Sequence, residues 1–225
     1  MTTEQRPSAL QARTLYRFFR AGEEETLALQ GVSLTLEPGE LVAVTGPSGS
    51  GKSTLLSCLA GIDEPDGGAV LVAGQRISHR SEPIRAGLRA RHIGLLFQSA
   101  NLFAHLTVRQ NVGLAQRLAG RRGALGIGSL LDSVGLAKRG HAYPGELSGG
   151  ESARAGLALA LANDPAVLLA DEPTGEVDSA AETQILDLLL SRAREGVAVL
   201  VASHSPAVSA AADRVIRLDD GKVLA

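Results

Sequence analysis

Residues 46–53 read Gly46-Pro47-Ser48-Gly49-Ser50-Gly51-Lys52-Ser53, which matches the phosphate-binding loop pattern G-x-x-x-x-G-K-[ST] at every fixed position. An apolar, β-branched run over residues 41–45 precedes the loop and predicts a buried strand, and residues 54–60 predict the start of a helix. In that setting the loop's backbone N–H groups and the helix N-terminus can bind phosphate. We therefore expect Lys52 to reach the β- and γ-phosphates of a nucleotide and the Ser53 hydroxyl to bind Mg²⁺.

Composition narrows the class of protein. The chain has 225 residues, of which 44% are hydrophobic, so it can form one large domain or two small ones with a full core. No apolar run is long enough to span a bilayer, and residues 1–11 are polar without a signal-peptide core, so we expect a disordered lead-in there. Cys58 is the only cysteine, which excludes an internal disulfide and a cysteine zinc site.

Charge argues against a nucleic-acid partner. The formal net charge is −2, so the chain has no overall basic field. One local basic cluster is formed by Arg76, His79, Arg80, Arg85, Arg89, Arg91 and His92. We interpret this cluster as the solvated face of a helical segment.

A second strand supplies the acidic residues that a phosphate-binding loop needs. Residues 166–170 are apolar and are followed directly by Asp171 and Glu172, as in a central parallel strand that ends at a site. By itself, such a run could be a strand whose end meets solvent. After a phosphate-binding loop, it predicts that Asp171 holds Mg²⁺, directly or through water, and that Glu172 orients or deprotonates the attacking water.

A second glycine-rich turn, Leu147-Ser148-Gly149-Gly150-Glu151, precedes a predicted helix at residues 152–162 and predicts another anion site. One chain cannot easily bring both loops to one phosphate group, so a two-fold dimer is the simplest arrangement. Three further segments bear on the class of enzyme: Gln98 after a predicted strand at 93–97, the turn at 173–178, and His204 after a predicted strand at 197–201.

Together these motifs resemble the nucleotide-binding subunit of ABC transporters, in the family's order and from about Phe19 to the C-terminus. The LSGG element at residues 147–150 is the most specific of them, because phosphate-loop proteins in general lack it. The resemblance implies an α/β fold, with a P-loop NTPase core of ABC ATPase type, a helical subdomain at about residues 99–162 and an N-terminal antiparallel β portion. This ABC ATPase domain would cover residues 12–225.

The resemblance also implies a role for each matching residue. Gln98 would contact Mg²⁺ and the attacking water and sense the membrane partner, Glu172 would be the general base, and His204 would hydrogen-bond the γ-phosphate. Ser148 and the glycines after it would contact the γ-phosphate held by a second copy of the chain, and Asp178 would cross the dimer interface. By role, the catalytic residues are Lys52, Gln98, Glu172 and His204; the metal ligands are Ser53, Gln98 and Asp171; and the ATP-binding residues are Phe19, Gly46, Pro47, Ser48, Gly49, Ser50, Gly51, Lys52, Ser53, Thr54, Ser148, Gly149, Gly150 and Asp178.

The platform for the adenine base is an aromatic ring upstream of the phosphate-binding loop in this family. The alignment of residues 21–33 with the family's usual lead-in favours Phe19, although Tyr16 and Phe18 are also present. Phe19 could instead be a core or an exposed aromatic residue.

Several positions depart from the commonest family pattern. Glu151 stands where glutamine is usual, Leu159 where arginine is common, Glu176 where many relatives have asparagine, and Ser205 where an acid often follows the histidine. None of these changes removes a phosphate contact. They bear on turnover and on dimer affinity, and they leave the activity class unchanged.

Three less specific sequence patterns are similar to the MacB, LolD and FtsE group: residues 171–175 and the stretches at 97–112 and 143–146. Partners in that group are FtsX- or MacB-like integral membrane permeases. The resemblance therefore implies a peripheral protein on the cytoplasmic face of the cell membrane, which binds two MgATP between two copies of itself and serves efflux, lipoprotein release or mechanotransmission. The alternatives are an FtsE-like regulator of cell-wall hydrolysis without transport and, from another class, a soluble ABC ATPase.

A membrane partner is also expected on physical grounds, since the chain has ATP chemistry without a membrane span or an evident pocket for a second substrate. The segment from Gln98 to Asn111 is the expected docking surface, with Leu102, Phe103 and Leu106 as candidate apolar contacts. The same three residues could instead pack inside the helical subdomain.

Overall fold

The fold is built on two β-sheets. The computed structural model describes residues 8–21, 24–97, 101–120, 126–175 and 177–224. The strands are β1 (Leu10–Ala21), β2 (Glu24–Leu36), β3 (Leu41–Thr45), β4 (Gly67–Val72), β5 (Gln75–Arg76), β6 (Ile93–Leu96), β7 (Val167–Asp171), β8 (Ala198–Ala202), β9 (Arg214–Asp219) and β10 (Lys222–Leu224). The α-helices are α1 (Lys52–Leu59), α2 (Glu82–His92), α3 (Val108–Leu118), α4 (Ile127–Ser133), α5 (Gly149–Ala160), α6 (Ser179–Arg194) and α7 (Pro206–Ala211). Two short 3₁₀ helices, Ala137–Arg139 and Pro144–Glu146, precede the second glycine-rich turn.

The larger sheet has the order β10-β9-β3-β8-β7-β6 and is parallel except for β10, which pairs antiparallel with β9. Alternate residues of β3 enter different cores: Val42 and Val44 face α1 and the smaller sheet, whereas Leu41 and Ala43 face the helices that follow in the chain. Both faces of the central strands are buried, which is why the predicted strands at 41–45 and 166–170 are continuously apolar. The second of these strands, β7, runs one residue later than predicted.

The smaller sheet is antiparallel, with the order β2-β1-β4-β5. Its inner face, which includes Leu15, Leu29 and Val70, packs in one core with Leu55 and Leu59 of α1. This sheet confirms the predicted N-terminal antiparallel β portion. Because α1 follows the phosphate-binding loop directly, the shared core also sets where the loop lies.

Strand β1 begins inside the expected lead-in. Leu10 is fully buried and pairs with Leu36 of β2 and Val72 of β4. The expectation of disorder up to residue 11 is therefore wrong for residues 10–11. The physical reason is that Leu10 belongs to the main apolar core, although most of the residues before it are polar. Residues 1–7 lie outside the described part of the chain.

Helices α3, α4 and α5 lie within the segment expected to be a helical subdomain. Val112 of α3, Leu131 of α4 and Leu157 of α5 belong to one buried cluster, which covers one face of the larger sheet. Within the residues that the structure describes, no helix combines the length and the apolar character needed to cross a membrane.

Two helix starts differ from the sequence-based prediction. Helix α1 begins at Lys52, two residues before the predicted start, and α5 begins at Gly149, three residues before it. In α5 the cause is Ser148, whose side chain caps the helix and so allows two glycines to occupy the first turn. Helix α6 covers residues 179–194, as its apolar periodicity predicts.

The close approach of β6 to α5 provides a test of the packing. A Cβ added at Gly94 would lie 2.4 Å from the carbonyl oxygen of Ala160 and 3.1 Å from Cδ1 of Leu168. We expect Gly94→Ala to lower the free energy of unfolding by about 1–3 kcal/mol, as measured by urea unfolding, because backbone atoms of α5 must move.

Gly87→Ala is the matched control for this substitution. Gly87 lies in α2, and a Cβ added there meets nothing within 4 Å. This variant should be neutral or up to about 1 kcal/mol more stable, since alanine favours helix. An equal loss of stability in both variants would contradict the packing interpretation.

Candidate functional site

The phosphate-binding loop is held between the two sheets. It connects β3 to α1, and φ is positive at three of its glycines, 152° at Gly46, 80° at Gly49 and 101° at Gly51. A Cβ at Gly46 would lie 2.0 Å from the carbonyl oxygen of Leu218 in β9, and a Cβ at Gly51 would lie 2.4 Å from that of Ala28 in β2. Only glycine fits at Gly46 and Gly51, so contact with both sheets sets the curvature of the loop.

Lys52 is a buried cation at the base of this loop. The residue is 7% exposed, and its Nζ donates hydrogen bonds to the carbonyl oxygens of Gly46 at 2.8 Å and Pro47 at 3.0 Å. An ammonium group has three N–H donors, which leaves one for an anionic ligand. Ser50 Oγ, in the same loop, is buried and has no hydrogen-bond partner among the described residues. A buried cation beside an unsatisfied hydroxyl fits a phosphate group at this loop.

Three strand ends meet above the loop and form one cavity of about 470 Å³. Its walls are formed by Ser48, Gly49, Lys52, Ser53, Asp171, Glu172, Gly175 and His204. Strand β3 leads into the loop, β7 ends at Asp171, and β8 ends two residues before His204. Parallel pairing brings these three ends to the same edge of the sheet. The predicted phosphate-binding, acidic and histidine residues therefore share one cavity.

Glu172 has an unusual backbone conformation, and its two carboxylate oxygens have different contacts. Its φ is 45°, in the left-handed region, and its N–H donates to the carbonyl oxygen of Ala202 at 2.9 Å. Its Oε2 accepts from Ser203 Oγ at 3.2 Å and from the His204 N–H at 3.4 Å. Its Oε1 lies 3.5 Å from Nε2 of His204 and, as far as the described ranges extend, has no hydrogen bond. One oxygen is thus held by the end of β8, and the other lies beside an imidazole of the cavity wall.

Two contacts near Glu172 are absent from the sequence-based predictions. The first is the Ser203 hydroxyl, for which the only sequence signal is its position directly before His204. The second is a hydrogen bond from Ser205 Oγ to Glu182 Oε1 at 2.6 Å. These two residues are 23 positions apart in the chain, so no local pattern indicates their contact.

Helix α5 begins in the second glycine-rich turn, and a capping box stabilises its N-terminus. Ser148 Oγ accepts from the Glu151 N–H at 3.2 Å, and Glu151 Oε2 accepts from the Ser148 N–H at 2.9 Å. Arg139 Nε lies 2.9 Å from Glu151 Oε1. The hydrogen bond from the Ser148 N–H, followed by that from Arg139, holds the pKa of Glu151 below its usual value. The departure from the family's usual glutamine at position 151 thus leaves a complete helix cap.

Ser148, Gly149 and Gly150 line a second cavity of about 340 Å³, which they share with the start of α6. Asp178 also lines it and caps α6, because its Oδ1 accepts from the Ala181 N–H at 2.8 Å. A Cβ on Gly150 would lie 2.8 Å from Cβ of Ala181, so α5 and α6 meet closely here. The two cavities have no lining residue in common, and the predicted site residues therefore fall into two groups.

Phe19 lies on the wall of neither cavity. It is 41% exposed and pairs with Thr26 of β2, and the guanidinium carbon of Arg17 lies 4.7 Å from the centre of its ring. Phe19 is thus an exposed aromatic residue with a cation–π contact. Gln98 lies outside the described residues. The remaining predicted ATP-binding residues, Gly46, Pro47, Ser50, Gly51 and Thr54, belong to the loop and to the first turn of α1.

An apolar groove of about 300 Å³ lies between α2, β6, α3 and α5. Phe103, which is 53% exposed, lines it together with Leu118 and Leu159. Leu102 instead packs against the buried cluster of the helical part, and Leu106 is half-buried. Of the three candidate docking residues, Phe103 is the one that lies on the groove wall.

Three residues of the basic cluster, His79, Arg85 and Arg89, are paired with acids. Arg85 contacts Glu64 and Glu82 at 2.7 Å each, and Arg89 contacts Glu82 at 2.9 Å. His79 Nδ1 lies 3.4 Å from Glu64. Both arginines lie on α2, as do Arg91 and His92, so more than half of the cluster belongs to one helix, on which neighbouring acids compensate the charges of Arg85 and Arg89.

Comparison with known sequences identifies the relatives of this chain. The family model described as ABC transporter matches residues 29–175. A protein of Mycobacterium tuberculosis, named as an uncharacterized ABC transporter ATP-binding protein, is 43% identical over 210 residues, which covers 92% of this chain and 85% of that protein. The macrolide export ATP-binding/permease protein MacB of Hyphomonas neptunium is 40% identical over 224 residues, which covers 97% of this chain and 34% of MacB. The chain thus spans about a third of the length of its MacB relatives.

Comparison with solved structures identifies the fold. A dimeric structure of a bacterial ABC transporter cassette has a TM-score of 0.89 and 34% identity, over 96% of this chain and 97% of that chain. A dimeric structure of the same cassette in a post-hydrolysis state, bound to ADP and phosphate, has a TM-score of 0.88 and 33% identity over the same shares. These similarities confirm the predicted fold class.

Glu151 provides a test of stability against pH. Its pKa in the folded chain is below the ordinary 4.5, so the ionised form stabilises the fold above that pH. The contribution is lost as the pH falls through the lowered pKa of the folded state. We expect Glu151→Gln to be less stable than the wild type at neutral pH, and the difference to shrink in urea unfolding experiments below pH 4.5.

Arg139→Gln should show the same pH dependence, because it removes the other half of the ion pair. Lys138→Gln, the same change of charge one residue earlier, is the control and should show no such trend. A difference between Glu151→Gln and the wild type that stays constant from neutral to acid pH would contradict the assigned contact.

Proposed function

We propose, from the premise that this chain belongs to the ABC transporter family and is an ABC-type ATPase, that two copies of it close around two MgATP and drive an integral membrane permease. The observation that carries the proposal is the division of the site residues, with Lys52 and Glu172 on one cavity and Ser148 on another. One chain holds these groups apart, whereas a two-fold pair can bring the Ser148 loop of each copy to the nucleotide of the other.

In this proposal, the loop at residues 46–53 binds the phosphates of ATP. The free N–H of the Lys52 ammonium contacts the β- and γ-phosphates, and the buried Ser50 hydroxyl gains a polar partner. Backbone N–H groups of the loop and the N-terminus of α1 complement the remaining negative charge. The exposed ring of Phe19 stacks on the adenine, with Arg17 beside it.

Ser53 and Asp171 offer the hard oxygen donors that Mg²⁺ prefers, and both line the first cavity. In the described part of the chain, no cluster of three or more His, Cys, Asp or Glu residues could hold a metal ion. We therefore infer a cation held jointly by Ser53, Asp171 and phosphate oxygens of the substrate, with Gln98 as a third proposed protein ligand. Mg²⁺, when bound, neutralises charge on the β- and γ-phosphates.

Glu172 is the proposed general base. Its carboxylate, which lines the first cavity, takes a proton from water as the water oxygen attacks the γ-phosphorus in line. The bond between the γ-phosphorus and the bridging oxygen breaks, and ADP leaves with that electron pair. His204, whose Nε2 lies 3.5 Å from Oε1, donates a hydrogen bond to the γ-phosphate. The reaction is ATP plus water to ADP plus phosphate.

The second copy of the chain completes each site. The capped N-terminus of α5 points the Ser148 hydroxyl and the backbone N–H groups of Gly149 and Gly150 at the partner's γ-phosphate. Asp178, at the start of α6 on the same cavity, crosses the interface. The dimeric form of the two structurally similar cassettes supports this arrangement.

The membrane partner is proposed to be an FtsX- or MacB-like permease, with this chain peripheral on the cytoplasmic face of the membrane. The MacB relatives, named as ATP-binding/permease proteins, support a permease of that type, since this chain covers only about a third of their length. The apolar groove beside α3 is the proposed docking surface, because it exposes Phe103 next to Leu118 and Leu159. A partner segment with an apolar side chain fits such a groove.

Glu172→Gln tests the general base. We expect kcat for ATP hydrolysis to fall by about 100-fold or more, because the amide cannot accept the proton, while ATP binding is kept and an ATP-bound dimer accumulates. Phosphate release and size-exclusion chromatography with ATP measure the two effects. Glu195→Gln, at the C-terminal end of α6, is the control. Hydrolysis by Glu172→Gln at the wild-type rate would show that the base is another group.

Lys52→Ala tests the binding loop. We expect the affinity for ATP to fall by about tenfold or more in a nucleotide titration, because a charge-assisted contact with phosphate is lost. Lys222→Ala removes an exposed lysine of β10 and should leave the affinity unchanged. An unaltered affinity in Lys52→Ala would overturn the assigned role.

Co-purification tests the partner. Tagged Glu172→Gln is expressed in the native host, membranes are solubilised with ATP present, and bound proteins are identified. We expect an FtsX- or MacB-like permease, which Phe103→Ser should lose and Val223→Ser, an exposed apolar residue of β10, should keep. Recovery of soluble proteins alone would instead support a soluble ABC ATPase. The outer domain of a recovered permease distinguishes transport from control of cell-wall hydrolysis.

A further inference from the structure

We propose that Ser203 is a positioning residue for Glu172, and that hydrogen bonds through Ser205 and Glu182 connect this carboxylate to the first turn of α6. The proposal rests on the role of Glu172 as general base given above. It concerns the orientation of the base and adds no chemical step to the reaction.

The hydroxyl group of Ser203 has two hydrogen-bond partners, Ser205 and Glu172. The residue directly follows β8, is 1% exposed, and donates its N–H to the carbonyl oxygen of Val44 at 3.1 Å. Its Oγ lies 3.1 Å from the Ser205 nitrogen and 3.2 Å from Glu172 Oε2. A hydroxyl group has one proton, and the Ser205 N–H can only donate. Ser203 Oγ therefore accepts from Ser205 and gives its own proton to the carboxylate.

These bonds give the two carboxylate oxygens of Glu172 different contacts. Oε2 receives the Ser203 hydroxyl and, at 3.4 Å, the His204 N–H, whereas Oε1 has no hydrogen bond among the residues described. The left-handed φ of 45° at Glu172 turns the chain away from the strand direction, so the strand itself does not direct the side chain. The bond from Ser203 therefore fixes the carboxylate through Oε2, and it leaves Oε1, which is buried, beside Nε2 of His204.

Ser205 connects this pair to a second helix. Its Oγ donates to Glu182 Oε1 at 2.6 Å and accepts from the Ala207 N–H at 3.1 Å, which caps α7. The Glu182 N–H donates to the carbonyl oxygen of Asp178 at 2.9 Å, so Glu182 belongs to the first turn of α6. Contacts from α6 and α7 therefore fix Ser205, whose N–H orients the Ser203 hydroxyl.

The chain of bonds joins the two cavities within one copy of the protein. Its outer end, the first turn of α6, lies beside the cavity that contains Ser148. Its inner end is the carboxylate of Glu172 in the cavity that contains Lys52. A displacement of α6 at the second cavity changes the bond between Glu182 and Ser205, and through Ser203 it changes the orientation of Glu172.

Ser203→Ala tests the central contact. We expect kcat for ATP hydrolysis to fall about tenfold, as for the loss of one hydrogen bond to a charged group, with KM for ATP unchanged within about twofold. Ser203→Thr keeps a hydroxyl group and should retain most of kcat. The matched control is Ser191→Ala, because Ser191 Oγ also donates to a glutamate, Glu195 Oε1 at 3.3 Å, at the other end of α6.

Glu182→Ala tests whether the hydrogen bonds connect Glu172 to α6. It also tests the proposal by itself if the Ser203→Ala variant does not fold. We expect a smaller loss of kcat, about threefold, again without a change in KM. Glu182→Gln should retain kcat, since its amide oxygen still accepts from Ser205. The double variant with Ser203→Ala should be no slower than Ser203→Ala alone. Losses that multiply in the double variant, or a wild-type kcat in Glu182→Ala, would overturn the connection.

Glu172→Gln separates a failure of this proposal from a failure of the proposed function. Adding Ser203→Ala to Glu172→Gln should cause no further loss of turnover. If Glu172→Gln is inactive while Ser203→Ala keeps the wild-type kcat, or changes KM alone, the positioning role is wrong and the general base stands. If Glu172→Gln itself turns over at the wild-type rate, the proposed role of Glu172 is wrong.

Discussion

The parallel pairing of β3, β8 and β7 is the constraint on which the site depends. Ala202 of β8 is level with Val44 of β3 on one side and with Asp171 of β7 on the other. The chain leaves all three strands at that edge, so the phosphate-binding loop, Glu172 and His204 emerge side by side. A slip of one residue in this pairing would turn β7 to its other face and separate its acids from the loop.

Charge is arranged differently in the two cavities. In the first, a lysine ammonium lies opposite two carboxylates, which is an arrangement suited to a bound anion and a cation together. In the second, the N-termini of α5 and α6 converge, so partial positive charge comes from two helix ends. The acid at the start of α5, Glu151, is engaged by Arg139. In the dimer proposed above, this cavity, which Asp178 also lines, meets a phosphate that is already bound to the partner copy.

Local chemistry decides which features could be predicted from the sequence. The strand at 41–45 and the helix at 179–194 agree with prediction to the residue, because each has one uniform pattern along its length. The start of α5 was not predictable from helix propensity, since the Ser148 cap overrides two glycines. The contacts of Glu172 with Ser203, and of Glu182 with Ser205, bridge 31 and 23 positions and exist only after the sheet has formed.

The left-handed backbone of Glu172 has a consequence for how this protein can change over time. A residue other than glycine in that conformation costs about 1–2 kcal/mol, so the chain gives up stability at the position of the proposed base. Glycine would remove this backbone cost, whereas the proposed role in turnover requires the carboxylate. Thermostabilising design should therefore exclude position 172, because a glycine there would remove the proposed general base.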